Sequence, residues 1–258
     1  MSATQKVRAK KSFGQHFLND TNVAIAIVDA LQMPENCNTV LEIGPGMGVL
    51  TQFLINRKEL DFHTIDIDRE SIAYLKEHFP TLKNRIIEGD FLQLNLQEKF
   101  KNPLAIIGNF PYNISTQILF TILENKNHVP LMVGMFQKEV AERIASAPGN
   151  RDYGILSVLL QPWFEIEYLF TVLEHQFDPP PRVKSAVIRM RRNDRMQLEV
   201  DEQKFKNIVK LAFNQRRKTL RNALKSILPK DVSTIPFLDK RAEQLSWQQF
   251  VLLLQKIN

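Results

Sequence analysis

Leu104-Ala105-Ile106-Ile107-Gly108 carries no polar side chain at any position. A strand with one face in water alternates apolar and polar residues. A strand without alternation is covered on both faces, which is the signature of a parallel sheet between helices. Thr39-Val40-Leu41-Glu42-Ile43, Phe62-His63-Thr64-Ile65-Asp66, Arg85-Ile86-Ile87-Glu88 and Leu131 to Phe136 read as four further strands. Helical spacing separates them, through Leu50, Phe53 and Leu54, then Ile72, Leu75 and Phe79, then Ile118, Leu119 and Ile122, then Val140 and Ile144. Strand and helix in alternation predict an α/β fold with a doubly wound parallel sheet.

The flanks read differently. Asn19 or Asp20 is placed to cap a first helix through Val23, Ile27, Val28 and Leu31, and Ser115 to cap the helix after residue 114. Residues 154–160 read as helix. Phe164 to Val172 and Ser185 to Arg191 read as two strands, an antiparallel edge pair. After Arg192-Asn193-Asp194 the periodicity is helical only, over 203–214, 216–227 and 246–256. The expected division is 1–193, an α/β domain with a basic N-terminal arm, and 194–258, a small all-α domain.

Charge is distributed unevenly. Of 34 basic residues, 17 fall in residues 1–11, 182–195 and 205–225, with a single acid, Asp194, among them. Those stretches sum to +16 and the remainder of the chain to −10, within a net charge of +6. Basic segments on a mildly acidic body indicate a polyanion-binding face, and nucleic acid is the polyanion expected. The helical tail, with Arg216-Arg217-Lys218, would grip phosphates, whereas Phe213 beside Ile208, Val209 and Leu211 reads as core. No apolar run approaches the ~20 residues that span a bilayer, the N-terminus has no apolar signal core, and one cysteine, Cys37, excludes an internal disulfide and a Cys-rich zinc site. The expectation is a cytoplasmic monomer without metal or membrane partner.

The strand ends carry the chemistry. The first strand runs into Gly44-Pro45-Gly46-Met47-Gly48, where glycines permit a tight turn and close approach of backbone to ligand. The spacing departs from the Gly-x-Gly-x-x-Gly of dinucleotide binders. Pro45 deletes a donor, and Glu42 just before the turn would repel phosphate. An acid there suits a ligand with a cationic end, and S-adenosylmethionine has an ammonium, a sulfonium and no phosphate. Asp66, ending the second strand, is placed to bind both ribose hydroxyls. Asp90, after the third, is placed to accept from the cofactor adenine amine, with Phe91 beside the ring. Strand-end aspartates also serve as helix caps. However, Glu42, Asp66, Asp90 and Asn109 close four successive strands on one edge, and that coincidence favours a cofactor site in a Rossmann-like methyltransferase sheet.

Asn109-Phe110-Pro111-Tyr112 follows the apolar run at the edge where open α/β sheets bind ligands. An adenine N6 lone pair is delocalised into its ring. The Asn109 side-chain oxygen and the Phe110 carbonyl can each accept an N6 hydrogen bond, which favours a pyramidal, nucleophilic nitrogen. Pro111 stiffens the turn, and Tyr112 offers a face for a base, worth about 1–3 kcal/mol. Phe177-Asp178-Pro179-Pro180-Pro181-Arg182 is stiffened by three prolines and can hold an aromatic ring without ordering it on binding.

Taken together, KSFGQHFLND (11–20), EIGPGMGVLT (42–51), the strand-end acids, GNFPYNIST (108–116) and FDPPPRVKSAV (177–187) resemble the ribosomal RNA adenine N6-dimethyltransferases, and most of all the small-subunit type whose loss gives kasugamycin resistance. The resemblance implies cofactor contacts from His16, Leu18, Gly44, Asp66, Asp90 and Asn109, with Gly46 in the same turn. It implies a target adenine sandwiched between Tyr112 and Phe177. It implies dimethylation of two adjacent adenosines in the 3′-terminal hairpin loop of small-subunit rRNA, presented in a pre-ribosomal particle. His16 stands where the family commonly has Asn, Asp66 where it has Glu, and Phe110 where it has Leu. Two alternatives stay open: a large-subunit rRNA methyltransferase of the macrolide-resistance type, and a ribosome-assembly checkpoint factor whose catalysis is secondary.

Overall fold

The structure is a computed structural model that describes residues 16–257. The first basic cluster (Lys6, Arg8, Lys10, Lys11) and the beginning of the 11–20 motif lie outside the described residues. The strands are β1 (Phe17–Leu18), β2 (Thr39–Ile43), β3 (Asp61–Asp66), β4 (Ile86–Glu88), β5 (Leu104–Asn109), β6 (Leu131–Gln137), β7 (Phe164–Val172), β8 (Phe177–Asp178) and β9 (Ser185–Arg192). The α-helices are α1 (Thr21–Asp29), α2 (Thr51–Leu54), α3 (Arg69–His78), α4 (Leu96–Lys99), α5 (Ser115–Glu124), α6 (Lys138–Ala145), α7 (Ile155–Leu160), α8 (Glu202–Asn214), α9 (Leu220–Ala223) and α10 (Trp247–Ile257).

Seven strands form one sheet in the order β4-β3-β2-β5-β6-β9-β7. Its first five are parallel, and β9 is antiparallel to β6. The α/β class expected from the apolar runs is the class observed. All five residues of β2 and Leu104 to Gly108 of β5 are buried, as strands covered on both faces require. The order of strands along the chain reverses between β2 and β5. That switch point leaves a crevice at the carboxyl ends of the strands, because the connections leave in opposite directions. A separate two-stranded ribbon pairs β1 with β8, with Leu18 opposite Phe177.

The chain divides into two compact units. One takes the described residues up to Ala141 together with Glu167–Arg192; the other takes Glu142–Ile166 together with the residues from Asn193 on. The helical tail thus recruits a preceding segment: the Asn193 N–H donates to the Trp163 carbonyl at 2.9 Å, and its side-chain amide to the Pro162 carbonyl at 3.0 Å.

Two local expectations are revised. The helix expected over 216–227 shrinks to α9, because Thr219 pairs with Arg241 in an isolated bridge while the Leu220 and Arg221 N–H groups donate to the carbonyls of Lys240 and Leu238. Those donors are taken by a passing strand-like segment, so the helix cannot extend back to 216. The expected edge pair is present: β9 and β7 are neighbours at one side of the sheet, with β9 between β6 and β7. Ser115 is the first residue of α5 rather than its cap, and its hydroxyl donates to the Tyr112 carbonyl at 3.1 Å. Asp20, of the two candidates, caps α1 by accepting from the N–H groups of Asn22 and Val23.

Candidate active site

Where β2 ends, Gly44, Gly46 and Gly48 take positive φ values of 65°, 56° and 79°, a region closed to most side chains. The turn therefore presents backbone rather than side chains to the crevice. A Cβ on Gly46 would come within 2.9 Å of the Phe17 ring, so β1 lies directly over the turn. Glu42, one residue before the end of β2, is 1% exposed. Its Oε2 accepts from the Thr51 hydroxyl at 2.6 Å. Burial, with a smaller contribution from the Asp66 charge, pushes its carboxyl up to about 8, against the Thr51 hydrogen bond. A buried acid in that state gains most from an incoming positive charge.

Asp66 ends β3 and is 7% exposed. Its carboxylate accepts from the Gly46 N–H at 3.3 Å and the Asp68 N–H at 2.9 Å. These bonds favour the ionised form, but burial outweighs them and holds the carboxyl above the usual range. Asp90 follows β4 and caps a short 3₁₀ turn, Phe91–Gln93, by accepting from the Leu92 N–H at 2.9 Å. The cap and the candidate ligand group are thus the same side chain.

β5 delivers Asn109 next to this edge. The glycines Gly108 and Gly134 face each other across β5 and β6, and the Phe110 ring lies over both. A Cβ on Gly108 would stand 2.7 Å from that ring, and one on Gly134 would strike it outright. Phe110 is 1% exposed and packs edge-on against Phe136 with ring centroids 5.1 Å apart. The wide aromatic residue is therefore seated by two missing side chains, and it locks the turn that carries Pro111 and Tyr112. The Asn109 amide donates to the His16 carbonyl at 3.0 Å. The His16 ring stacks on Tyr112 at 5.5 Å and 29°, and its Nδ1 donates to the Pro179 carbonyl at 2.9 Å.

One cavity of about 530 Å³ collects these groups at the switch point, within the range of small-molecule sites. His16, Leu18, Glu42, Gly44, Gly46, Asp66, Asp90 and Asn109 to Tyr112 all border it. Phe91 and Phe177 do not. Phe91 is 3% exposed and turns into the core, while its neighbour Leu92 faces the cavity. Phe177 is also 3% exposed and belongs to the buried cluster of Leu18 and Val172. The ring on Tyr112 is that of His16.

Phe17, Tyr74 and Ile67 border the cavity without having been anticipated. Nor was the role of Thr51, from a buried position, as hydrogen-bond partner to Glu42. Ile67 is 53% exposed at the cavity wall. An apolar residue between two aspartates just past a strand end is the signal that could have identified it. The residues present fit S-adenosylmethionine: a buried acid for a cation, an acid at the end of β3 for hydroxyls, glycine backbone along the cavity wall and apolar surface for a base.

The basic residues divide by use. Arg189 bonds Glu167 through two nitrogens, at 3.0 and 2.7 Å, and Arg191 bonds Gln32. Arg195 sits 4.5 Å over the Trp247 ring, and Arg216 bonds the carbonyls of Arg151 and Tyr153 beside Glu243. Arg217, Lys218, Arg221 and Lys225 are exposed.

Comparison with known proteins agrees with the geometry. Residues 6–258 match the family described as ribosomal RNA adenine dimethylase. The chain is 58% identical over 247 residues to the ribosomal RNA small subunit methyltransferase A of Cytophaga hutchinsonii, covering 95% of this chain and 96% of that one. The crystal structure of a dimethyladenosine transferase from Plasmodium falciparum superposes with a TM-score of 0.78 at 24% identity, over 93% of this chain and 97% of that one. That of the 23S rRNA methyltransferase ErmE gives 0.70 at 25% identity, over 93% and 99%. The chain belongs to the ribosomal RNA adenine dimethylase family.

Proposed function

We propose that this enzyme dimethylates N6 of two adjacent adenosines in the 3′-terminal hairpin loop of small-subunit rRNA, acting as a monomer on a pre-ribosomal small subunit in the cytoplasm. The observation that carries the site reading is the convergence of Glu42, Asp66, Asp90 and Asn109 on one cavity at the sheet's switch point. Identity of 58% to a small-subunit enzyme, against 25% to a large-subunit one, favours the small subunit as substrate.

S-Adenosylmethionine, when bound, supplies an electrophilic methyl group on a sulfonium. Glu42 would hold the cationic end, Asp66 the ribose hydroxyls and Asp90 the adenine amine, with Gly44, Gly46, His16 and Leu18 forming the walls. On the substrate side, the Asn109 side-chain oxygen and the Phe110 carbonyl accept from the target amine and hold its lone pair toward the cofactor. Tyr112 supplies the stacking face. No side chain is required as a dedicated base, because the methylated nitrogen is cationic and sheds its proton readily. Rate therefore comes from positioning and from acceptors already in place. A stacking role for Phe177 requires the β1–β8 ribbon to part. The helical domain, 194–258, binds RNA phosphates through its exposed bases, and the base is taken from an unpaired loop.

Mass mapping of dimethyladenosine in rRNA from cells with and without the protein tests this. Loss of the modification from the small subunit alone is expected. Loss from the large subunit would make the macrolide-resistance reading correct. Full rescue of a deletion by a catalytically dead variant would favour the checkpoint reading.

A further inference from the structure

The Tyr112 phenol and the Ser185 hydroxyl share a hydrogen bond of 2.5 Å across 73 residues of chain. Ser185 is 0% exposed and opens β9, opposite Gln137 at the end of β6. The Lys138 N–H donates to the Lys184 carbonyl at 2.9 Å, which ties the start of β9 to the end of β6. At the other end of Tyr112, the Ser115 hydroxyl holds its backbone carbonyl. The ring is thus fixed at its backbone by α5 and at its phenol by the sheet. Burial raises the phenol above its ordinary range, so it remains an O–H at neutral pH and the contact is a neutral hydrogen bond.

We propose that Ser185 is a positioning residue for methyl transfer: its hydrogen bond sets the tilt of the Tyr112 ring, and through it the plane of the stacked base whose amine must meet Asn109. This rests on the reading of Tyr112 as the stacking face. Ser185 need not touch cofactor or substrate. Its influence follows from the steepness with which rate falls when reacting atoms are misplaced, up to ~100-fold for about 1 Å.

The test is methyl transfer from labelled cofactor to small subunits that lack dimethyladenosine, with the full-length protein. Ser185→Ala and Tyr112→Phe break the same bond from opposite sides. Each is expected to lower kcat about tenfold while KM for the subunit stays within about twofold. Ser185→Thr should recover most of the rate, and the double variant should be no slower than either single one. Additive losses, or normal kcat in both single variants while Tyr112→Ala is inactive, would overturn the proposal. Normal turnover in Tyr112→Ala would instead remove the stacking reading, and Ser185's role with it. If Ser185→Ala fails to fold, Tyr112→Phe decides alone, and a normal kcat there counts against the proposal.

Discussion

The Asn109 side-chain nitrogen lies 3.0 Å from the His16 carbonyl oxygen and donates to it, over a separation of 93 residues. A carbonyl can only accept, so this bond fixes which way the amide faces and commits its oxygen to the other side. Asn109→Ala should lose about 100- to 1000-fold in single-turnover methyl transfer with RNA affinity retained. Asn109→Asp should lose a comparable amount, since an oxygen placed against the His16 carbonyl repels it. Normal turnover in either variant, measured with labelled cofactor, removes Asn109 from the mechanism.

Glu42 makes the ligand-free protein sensitive to pH. Burial pushes its carboxyl from the ordinary 4.5 up to about 8 in the fold. Between those values the native state holds the extra proton, so stability falls as pH rises, by up to about 1.4 kcal/mol per pH unit, and levels above 8. Glu42→Gln should therefore melt higher than the wild type at pH 8.5, with the gain gone by pH 5. It should also bind S-adenosylmethionine more weakly in calorimetric titration. A pH-independent difference in melting temperature would rule out a buried, titrating Glu42.

Phe177 answers to both packing and chemistry. Phe177→Ala should cost about 3–5 kcal/mol in denaturant unfolding, because it empties a buried site. Phe177→Leu refills most of that volume at a cost below about 1.5 kcal/mol but offers no flat face. Its melting temperature and cofactor affinity should stay near wild type while methyl transfer falls about tenfold. An unchanged rate would make Phe177 a core residue only.

Arg216 is engaged by the carbonyls of Arg151 and Tyr153, so the exposed Arg217 and Lys218 are the better probes of phosphate contact. Replacing both with Ala should weaken RNA binding and lower the slope of log K against log salt by roughly 1.5 to 2. An unaltered slope places the RNA on other residues.

The fold was legible because burial writes itself into short runs. Strands covered on both faces cannot carry alternating polar residues, so Leu104 to Gly108 and Thr39 to Ile43 announced themselves. A polar residue at the end of such a run, or one before it, stood out for the same reason: Asp66 and Glu42 sit where a merely structural strand would place an apolar side chain. What stayed hidden turned on neighbours remote in sequence. Phe91 and Leu92 are equivalent by composition, and only the 3₁₀ turn after Asp90 decides which enters the core. The 216–227 stretch has good helical periodicity, yet its donors are claimed by Lys240 and Leu238. Arginines counted toward a phosphate-binding face prove partly committed, as Arg189 is to Glu167.

Local pattern by itself determined the α/β class, the glycine turn and the set of residues at the strand ends, because these follow from periodicity, backbone freedom and the cost of burying charge. Tertiary structure alone decided that His16 covers Tyr112 and holds Asn109, that Gly108 and Gly134 together make room for Phe110, and that Ser185 anchors the Tyr112 phenol. Each of those joins segments tens of residues apart, and a contact of that kind exists only once the sheet has set the distance between them.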